Sequence, residues 1–179
     1  MSLGEEDPKP DFQIDRTSTQ RIFLLMGIVL LLDQFTKVVI SHTIPFNSSR
    51  EVISGFFSIV HWGNTGAAWS LFHGKNFILG CVGVFSLFAL YYFRYYFSFS
   101  SRLGQIAIGM VMGGILGNLI DRFFRGHVVD FLYFFVISKN GKEIGYPAFN
   151  LADVGICVGI GAIVLLEIFR AKKPQQEIK

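Results

Sequence analysis

The chain has 179 residues, 51% of them hydrophobic and 16% charged, with 20 phenylalanines and a mean hydropathy of +0.48. This balance points to a polytopic membrane protein with about four spans of roughly 20 residues and short connections, leaving no room for a separate soluble domain. The formal net charge is only +3 and the basic residues are scattered, so no nucleic acid partner is expected.

Residues 1–20 are polar, with Pro8, Pro10 and five acids, and are expected to form a cytoplasmic tail. The first span is predicted over about 21–41. Its apolar run starts near Ile22, is too long for the core of a cleavable signal peptide, and carries charge. Asp33 and Lys37 stand four apart within it, share a helix face and form a predicted ion pair turned to the bundle interior. Pro45, Asn47, Ser48 and Ser49 then break the helix. Glu51 to Leu71 mixes β-formers with glycines and reads as short strands or an interfacial segment. It ends in the small-residue run Asn64-Thr65-Gly66-Ala67-Ala68-Trp69-Ser70. Trp62 and Trp69 are expected to be interfacial anchors.

The second span is predicted over about 76–96, with Tyr91, Tyr92, Tyr95 and Tyr96 as an interfacial belt around Arg94. The third runs over about 103–124. Gly109, Gly113 and Gly117 in it give the four-residue spacing of closely packed helices, and Asn118, Asp121 and Arg122 close it. In the connection 125–147, Val128 to Ile137 is too short to span and reads as a strand or a surface-lying helix. Ser138 to Gly145 reads as a polar turn. The fourth span covers about 148–169, followed by a basic tail, 171–179. Cys81 and Cys157 fall inside spans and are expected to be buried neutral thiols.

Lys9, Arg16, Arg21, Arg94, Arg102, Arg170, Lys172, Lys173 and Lys179 lie on one side of such a four-span chain. Arg50, Lys75, Arg122, Arg125, Lys139 and Lys142 lie on the other, which favours cytoplasmic termini. Span parity carries a further consequence. Lys37, Asn64, the stretch Asn118 to Asp130, and Asn150 to Asp153 all fall at one membrane face.

Carboxylates held close together cannot both ionise comfortably, so a pair shares a proton. The ionised partner can then take a proton from water while the protonated one polarises a carbonyl, which is peptide hydrolysis by an aspartic mechanism. Neighbouring amides such as Asn118 and Asn150 can orient the pair, and Arg122 can balance charge or hold a lipid phosphate. His42, His61, His73 and His127 lack metal-ligand spacing, so no zinc is expected. Ser70 has no activating partner in sequence and no GxSxG motif is present. On these grounds alone a hydrolase and a non-enzymatic transporter or proton relay using the same carboxylates stand even.

Five blocks separate them. Asp33-Gln34-Phe35-Thr36-Lys37, Asn64 to Ser70, Gly113 to Arg122, Gly126-His127-Val128-Val129-Asp130-Phe131 and Phe149-Asn150-Leu151-Ala152-Asp153 resemble, in order, the signature blocks of bacterial lipoprotein signal peptidase (signal peptidase II). The resemblance implies an all-α integral membrane fold: a four-helix transmembrane bundle with a small extracytoplasmic β-cradle and a mobile surface helix. It implies an aspartic endopeptidase of the bacterial inner membrane, cleaving diacylglyceryl-modified prolipoproteins before the lipidated cysteine. By motif position the catalytic pair is Asp130 and Asp153, supported by Asp33, Lys37, Asn64, Gly66, Asn118, Arg122 and Asn150. Asp121 is assigned a structural role. The partners implied are the lipidated precursor and membrane lipid, acting on a monomer without metal or organic cofactor. Two departures stand out: Gly63, where relatives carry a larger residue, and a long connection around Lys139-Asn140-Gly141-Lys142-Glu143.

Overall fold

The protein is described by a computed structural model covering residues 16–66, 74–94 and 101–171. Its frame is four helices, α1 (Arg16–Thr43), α2 (Asn76–Phe93), α3 (Arg102–Ile120) and α4 (Leu151–Ala171). Each is long and apolar enough to cross a membrane. The shortest, α2, has 18 residues and rises about 27 Å at 1.5 Å per residue, close to the hydrocarbon thickness of a bilayer.

The central helix is α3, which packs against all three others. It buries Ala107, Ile108, Val111, Met112 and Leu119. By contrast, α2 buries only Gly80 and exposes Phe77, Phe85 and Phe88. An exterior as apolar as the interior is what lipid-facing helices require, because lipid offers no hydrophobic force between them and close packing has to supply it. The glycine spacing of α3 does so. A side chain at Gly109 or Gly113 would strike the backbone of α1 at Ile22 or Met26, and one at Gly114 would strike the Ala152 carbonyl of α4. Gly117 lets the Asp33 carboxylate lie against the α3 backbone.

At the end of the bundle where α4 begins lies a four-stranded antiparallel sheet in the order β1-β2-β3-β4. Its strands are β1 (Ser49–Ile53), β2 (Phe57–Asn64), β3 (Val128–Ile137) and β4 (Glu143–Gly145). Two irregularities aim its side chains. Ile59 pairs with Leu132 but Trp62 pairs with Asp130, so Val60 and His61 together face one residue of β3, a β-bulge. Both are buried, and the His61 ring is held 2.8 Å from the Ile44 carbonyl. Within β3, the N–H groups of Phe131 and Leu132 both donate to the Phe149 carbonyl, at 3.0 and 2.9 Å. The strict alternation of a strand is broken there. Tyr133, three residues after Asp130, therefore shares its face and stacks on Phe135 at 5.4 Å.

Several element bounds and placements differ from those expected. Residues 16–20, expected in the polar tail, are the first turn of α1. Ser18 there accepts from the Gln105 side chain at 2.8 Å, which ties this turn to α3. The third span, expected over about 103–124, runs over Arg102–Arg125, but its last turn, Asp121–Arg125, is π-helical and closed by Gly126 at φ 76°. The fourth helix starts at Leu151 because Phe149 pairs with Leu132 and Asn150 caps the helix. Val128 to Ile137 takes the strand form of the two expected for it, and part of the expected polar turn is β4. Among the described residues no separate surface helix is present; Ala67 to Ser70, Tyr95 and Tyr96 lie outside them. Both cysteines are exposed rather than buried, because α2 and α4 each turn a broad face away from the bundle. The gap at Gly63 is filled by the rings of His127 and Phe46.

The α1–α3 contact leaves no room for a side chain. Gly113→Leu is expected to destabilise the protein by about 1–3 kcal/mol or more through overpacking. Gly27→Ala, with nothing within 4 Å of the added carbon, is expected to have no such effect. Thermal unfolding of both variants in detergent checks the contrast.

Candidate active site

The site begins with a charge that has nowhere to go. Lys37 lies on the inner face of α1 and is fully buried, as are Asp33 and Asp121. Its ammonium has three protons, and three acceptors meet it: Asp33 Oδ2 and Asp121 Oδ2, each at 2.8 Å, and Asn118 Oδ1 at 3.0 Å. Arg125 pairs with the other oxygen of Asp121, so two buried carboxylates face two cations. Gln34 ties the group together. It donates to Asp33 and to the Gly117 carbonyl, each at 3.1 Å, and accepts from Arg125 at 2.9 Å.

From this charge centre three contacts reach the neighbourhood of two further carboxylates. Asp33 Oδ1 accepts the Ala152 N–H at 2.9 Å, fixing the first turn of α4. Asp121 Oδ2 accepts the Val129 N–H at 3.1 Å, fixing β3 one residue before Asp130. Asn118, its oxygen committed to Lys37, turns its amide N–H to Asp153 Oδ1 at 2.8 Å.

Asp153 and Asn150 form a reciprocal cap at the start of α4. The Asp153 N–H donates to Asn150 Oδ1 at 3.0 Å, and the Asn150 N–H donates to Asp153 Oδ2 at 3.2 Å. This is the pattern of a capping box, with an aspartate in the acidic position. The Asn150 side chain has its own N–H groups left over, and one reaches Asp130 Oδ1 at 2.8 Å. One asparagine therefore binds both carboxylates. On the far side Asn64 donates to Asp130 Oδ2 at 3.0 Å, its own oxygen held by the Gly66 N–H at 2.8 Å. Each carboxyl oxygen accepts one such bond and keeps a further lone-pair direction open.

Burial, with the charge of Asp153 acting in the same direction, pushes the Asp130 carboxyl up to about 7. The amides of Asn64 and Asn150 and the Lys37 charge act against that rise. A carboxyl so placed holds its proton close to neutrality. Asp153, in the first turn of α4, sits where the helix dipole favours a negative charge.

Arg122 completes the set from the π-helical turn. It donates to Asn76 Oδ1 and to the Gly66 carbonyl, both at 2.9 Å, and Asn76 donates back to the Arg122 carbonyl at 3.0 Å. These groups open on a cavity of about 990 Å³. Its polar end holds Asn64, Asn118, Arg122, Asp130 and Asp153, and its apolar side is formed by Val154 and Val158 along α4.

The nine positions assigned to the catalytic pair and its support are drawn into one hydrogen-bonded chain, running Asp33, Lys37, Asn118, Asp153, Asn150, Asp130, Asn64, Gly66, Arg122. Asn118, Asp121 and Arg122 do not act as one turn, however. They look in three directions: to Asp153, to the Lys37 centre and to Gly66. Sequence reading passed over Gln34, Asn76 and Arg125. Gln34 stands beside Asp33 in the first block, and its polarity inside an apolar span was the available signal. Asn76 and Arg125 carried none, since one opens a helix and the other follows a charged turn. Trp62, expected to anchor at an interface, instead lines the cavity and pairs across the sheet with Asp130.

The chain as a whole is similar to known proteins. Residues 25–169 match the sequence profile of a family described as signal peptidase (SPase) II. Two solved structures, each described as a bacterial membrane enzyme determined by the in meso method, are similar to the chain at 32% identity. One covers 93% of this chain and 96% of its own with a TM-score of 0.76. The other covers 87% and 94% with a TM-score of 0.66.

Removing Lys37 leaves Asp33 buried beside no cation. Lys37→Met is expected to cost about 3–5 kcal/mol. Asp33→Asn added to it is expected to recover part of that loss, because the uncompensated charge goes with it. Equilibrium unfolding of the single and double variants measures the coupling.

Proposed function

The chain belongs to the signal peptidase II family of membrane proteases, and we propose that it is an aspartic endopeptidase that removes signal peptides from diacylglyceryl-modified prolipoproteins, cutting before the lipidated cysteine. The observation that carries this reading is Asn150, whose backbone and side-chain N–H groups bind Asp153 and Asp130 respectively. They hold the carboxyls as a pair at the polar end of the cavity.

In this reading the pair shares one proton, resting on Asp130. A water between the carboxyls gives its proton to Asp153 as its oxygen attacks the scissile carbonyl. The Asp130 proton stabilises the oxygen of the resulting tetrahedral species. The proton on Asp153 then passes to the amide nitrogen, the C–N bond breaks, and the new amine is the lipidated cysteine. The precursor stays in the bilayer, with its acyl chains against the apolar wall of the cavity. Burial at about 0.8 kcal/mol per CH₂ supplies much of the affinity. The sheet and the carboxyl pair lie at the outer face of the bacterial cytoplasmic membrane and both termini lie inside, as the lysine and arginine distribution favours. A proton relay fits less well. Along α3, between Gln105 and Asn118, the buried side chains are Ala107, Ile108, Val111 and Met112, which form no polar path across the bundle.

Asp130→Asn and Asp153→Asn are each expected to leave the protein folded and to lower cleavage of a lipidated precursor in detergent by about 10²–10⁴-fold or more. Near wild-type turnover in either would sink the aspartic mechanism. The pH dependence has a definite sign. Because Asp130 keeps its proton up to about 7, kcat/KM is expected to fall as pH rises through that value, as the shared proton is lost. A rate that rises between pH 7 and 9 would contradict the assignment.

A further inference from the structure

Part of the cavity wall that comes from the sheet is built by an aromatic residue, Tyr133, and a missing side chain, Gly145. Tyr133 reaches the cavity only because of the double donation to Phe149, which turns it to the face of Asp130. Its ring is then fixed from several directions. It lies 4.8 Å from Trp62 at a tilt and stacks on Phe135, and its hydroxyl donates to Glu143 Oε1 at 2.7 Å. Trp62 is the cross-strand partner of Asp130, and Trp62, Tyr133 and both carboxyls line the same cavity. The seat of the Tyr133 ring is Gly145, which pairs with Phe135 in the sheet. A Cβ at Gly145 would fall on the ring and hydroxyl of Tyr133. The strand backbone on one side and Trp62 on the other leave the ring few places to go. A side chain at position 145 would drive it towards the cavity.

We propose that Tyr133, seated over Gly145, sets the width of the polar end of the cavity and so limits the size of the residue accepted immediately before the cleaved bond. This rests on the peptidase reading above. It makes Tyr133 and Gly145 specificity determinants that take no part in the proton transfers. A cavity bounded by a fixed ring discriminates by overlap, and one or two methyl groups are worth about 10–200-fold in such a setting.

The test uses the full-length protein in detergent and two synthetic diacylglyceryl-cysteine peptides. They differ only in having alanine or valine before the modified cysteine. The readout is the valine-to-alanine ratio of kcat/KM. Tyr133→Ala is expected to raise the ratio about tenfold, and Gly145→Ala to lower it. Tyr133→Leu serves as a second truncation should the alanine variant unfold in a thermal scan, with a rise in the same direction. Tyr133→Phe, which keeps the ring, is expected to hold the ratio within twofold. An unchanged ratio in folded Tyr133 truncations and in Gly145→Ala, with the alanine peptide cleaved by the wild type, overturns this proposal and leaves the peptidase reading intact. Failure of the wild type to cleave either peptide overturns both.

Discussion

The structure depends on one ammonium group buried in an apolar bundle. Lys37 is fully buried, so its protons have to be met by protein, and three acceptors, from α1, α3 and the π-helical turn, do so. Each acceptor is itself committed elsewhere: Asp33 to the first turn of α4, Asp121 to the strand before Asp130, Asn118 to Asp153. The electrostatic requirement of one side chain is thereby turned into the position of three elements. Such a centre is weak evidence of net stability, because desolvation opposes the ion pairing. What it supplies here is a single permitted arrangement, since any shift of α1, α3 or α4 would strand a buried charge.

The glycines of α3 allow that arrangement to be dry. Their missing side chains bring α1 and α4 onto the central backbone, and Gly117 lets the Asp33 carboxylate sit against it. Packing and electrostatics are not separable here. Without the close approach Asp33 would not reach Ala152, and without the ion pairs a carboxylate at that depth would be untenable. By comparison α2 is loosely held, buried only at Gly80 and joined to the polar centre through Asn76 and Arg122.

The sheet solves a different problem, which is to bring a carboxyl on a strand to one on a helix. Two bulges do this, giving β3 a face that carries both Asp130 and Tyr133. Asn150 spans the remaining gap because a helix N-cap has an unused backbone N–H and an asparagine has both a donor and an acceptor. The capping interaction that starts α4 and the link between the two carboxyls are thus the same residue.

Much of this was legible in the amino-acid order. Apolar length marks the four spans. Four-residue spacing marks the Asp33–Lys37 pair and the packing face of α3. Ordered polar blocks mark the residues that the structure joins into one network. These features are local or periodic, and a helix converts spacing directly into a shared face. What the sequence left open is how residues far apart in the chain meet. That Asp121 holds Val129, that Gln34 and Arg125 belong to the charge centre, and that Trp62 faces Asp130 rather than a membrane interface are set by the crossing of α1 over α3 and by strand register. A bulge shifts register by one residue without a fixed sequence mark, so which of Leu132 and Tyr133 shares the face of Asp130 was undetermined until the strands were paired. The sequence determined which residues carry the chemistry; the tertiary structure decided which of their atoms meet, because a hydrogen bond is set by tenths of an ångström in three dimensions and spacing along a chain is not.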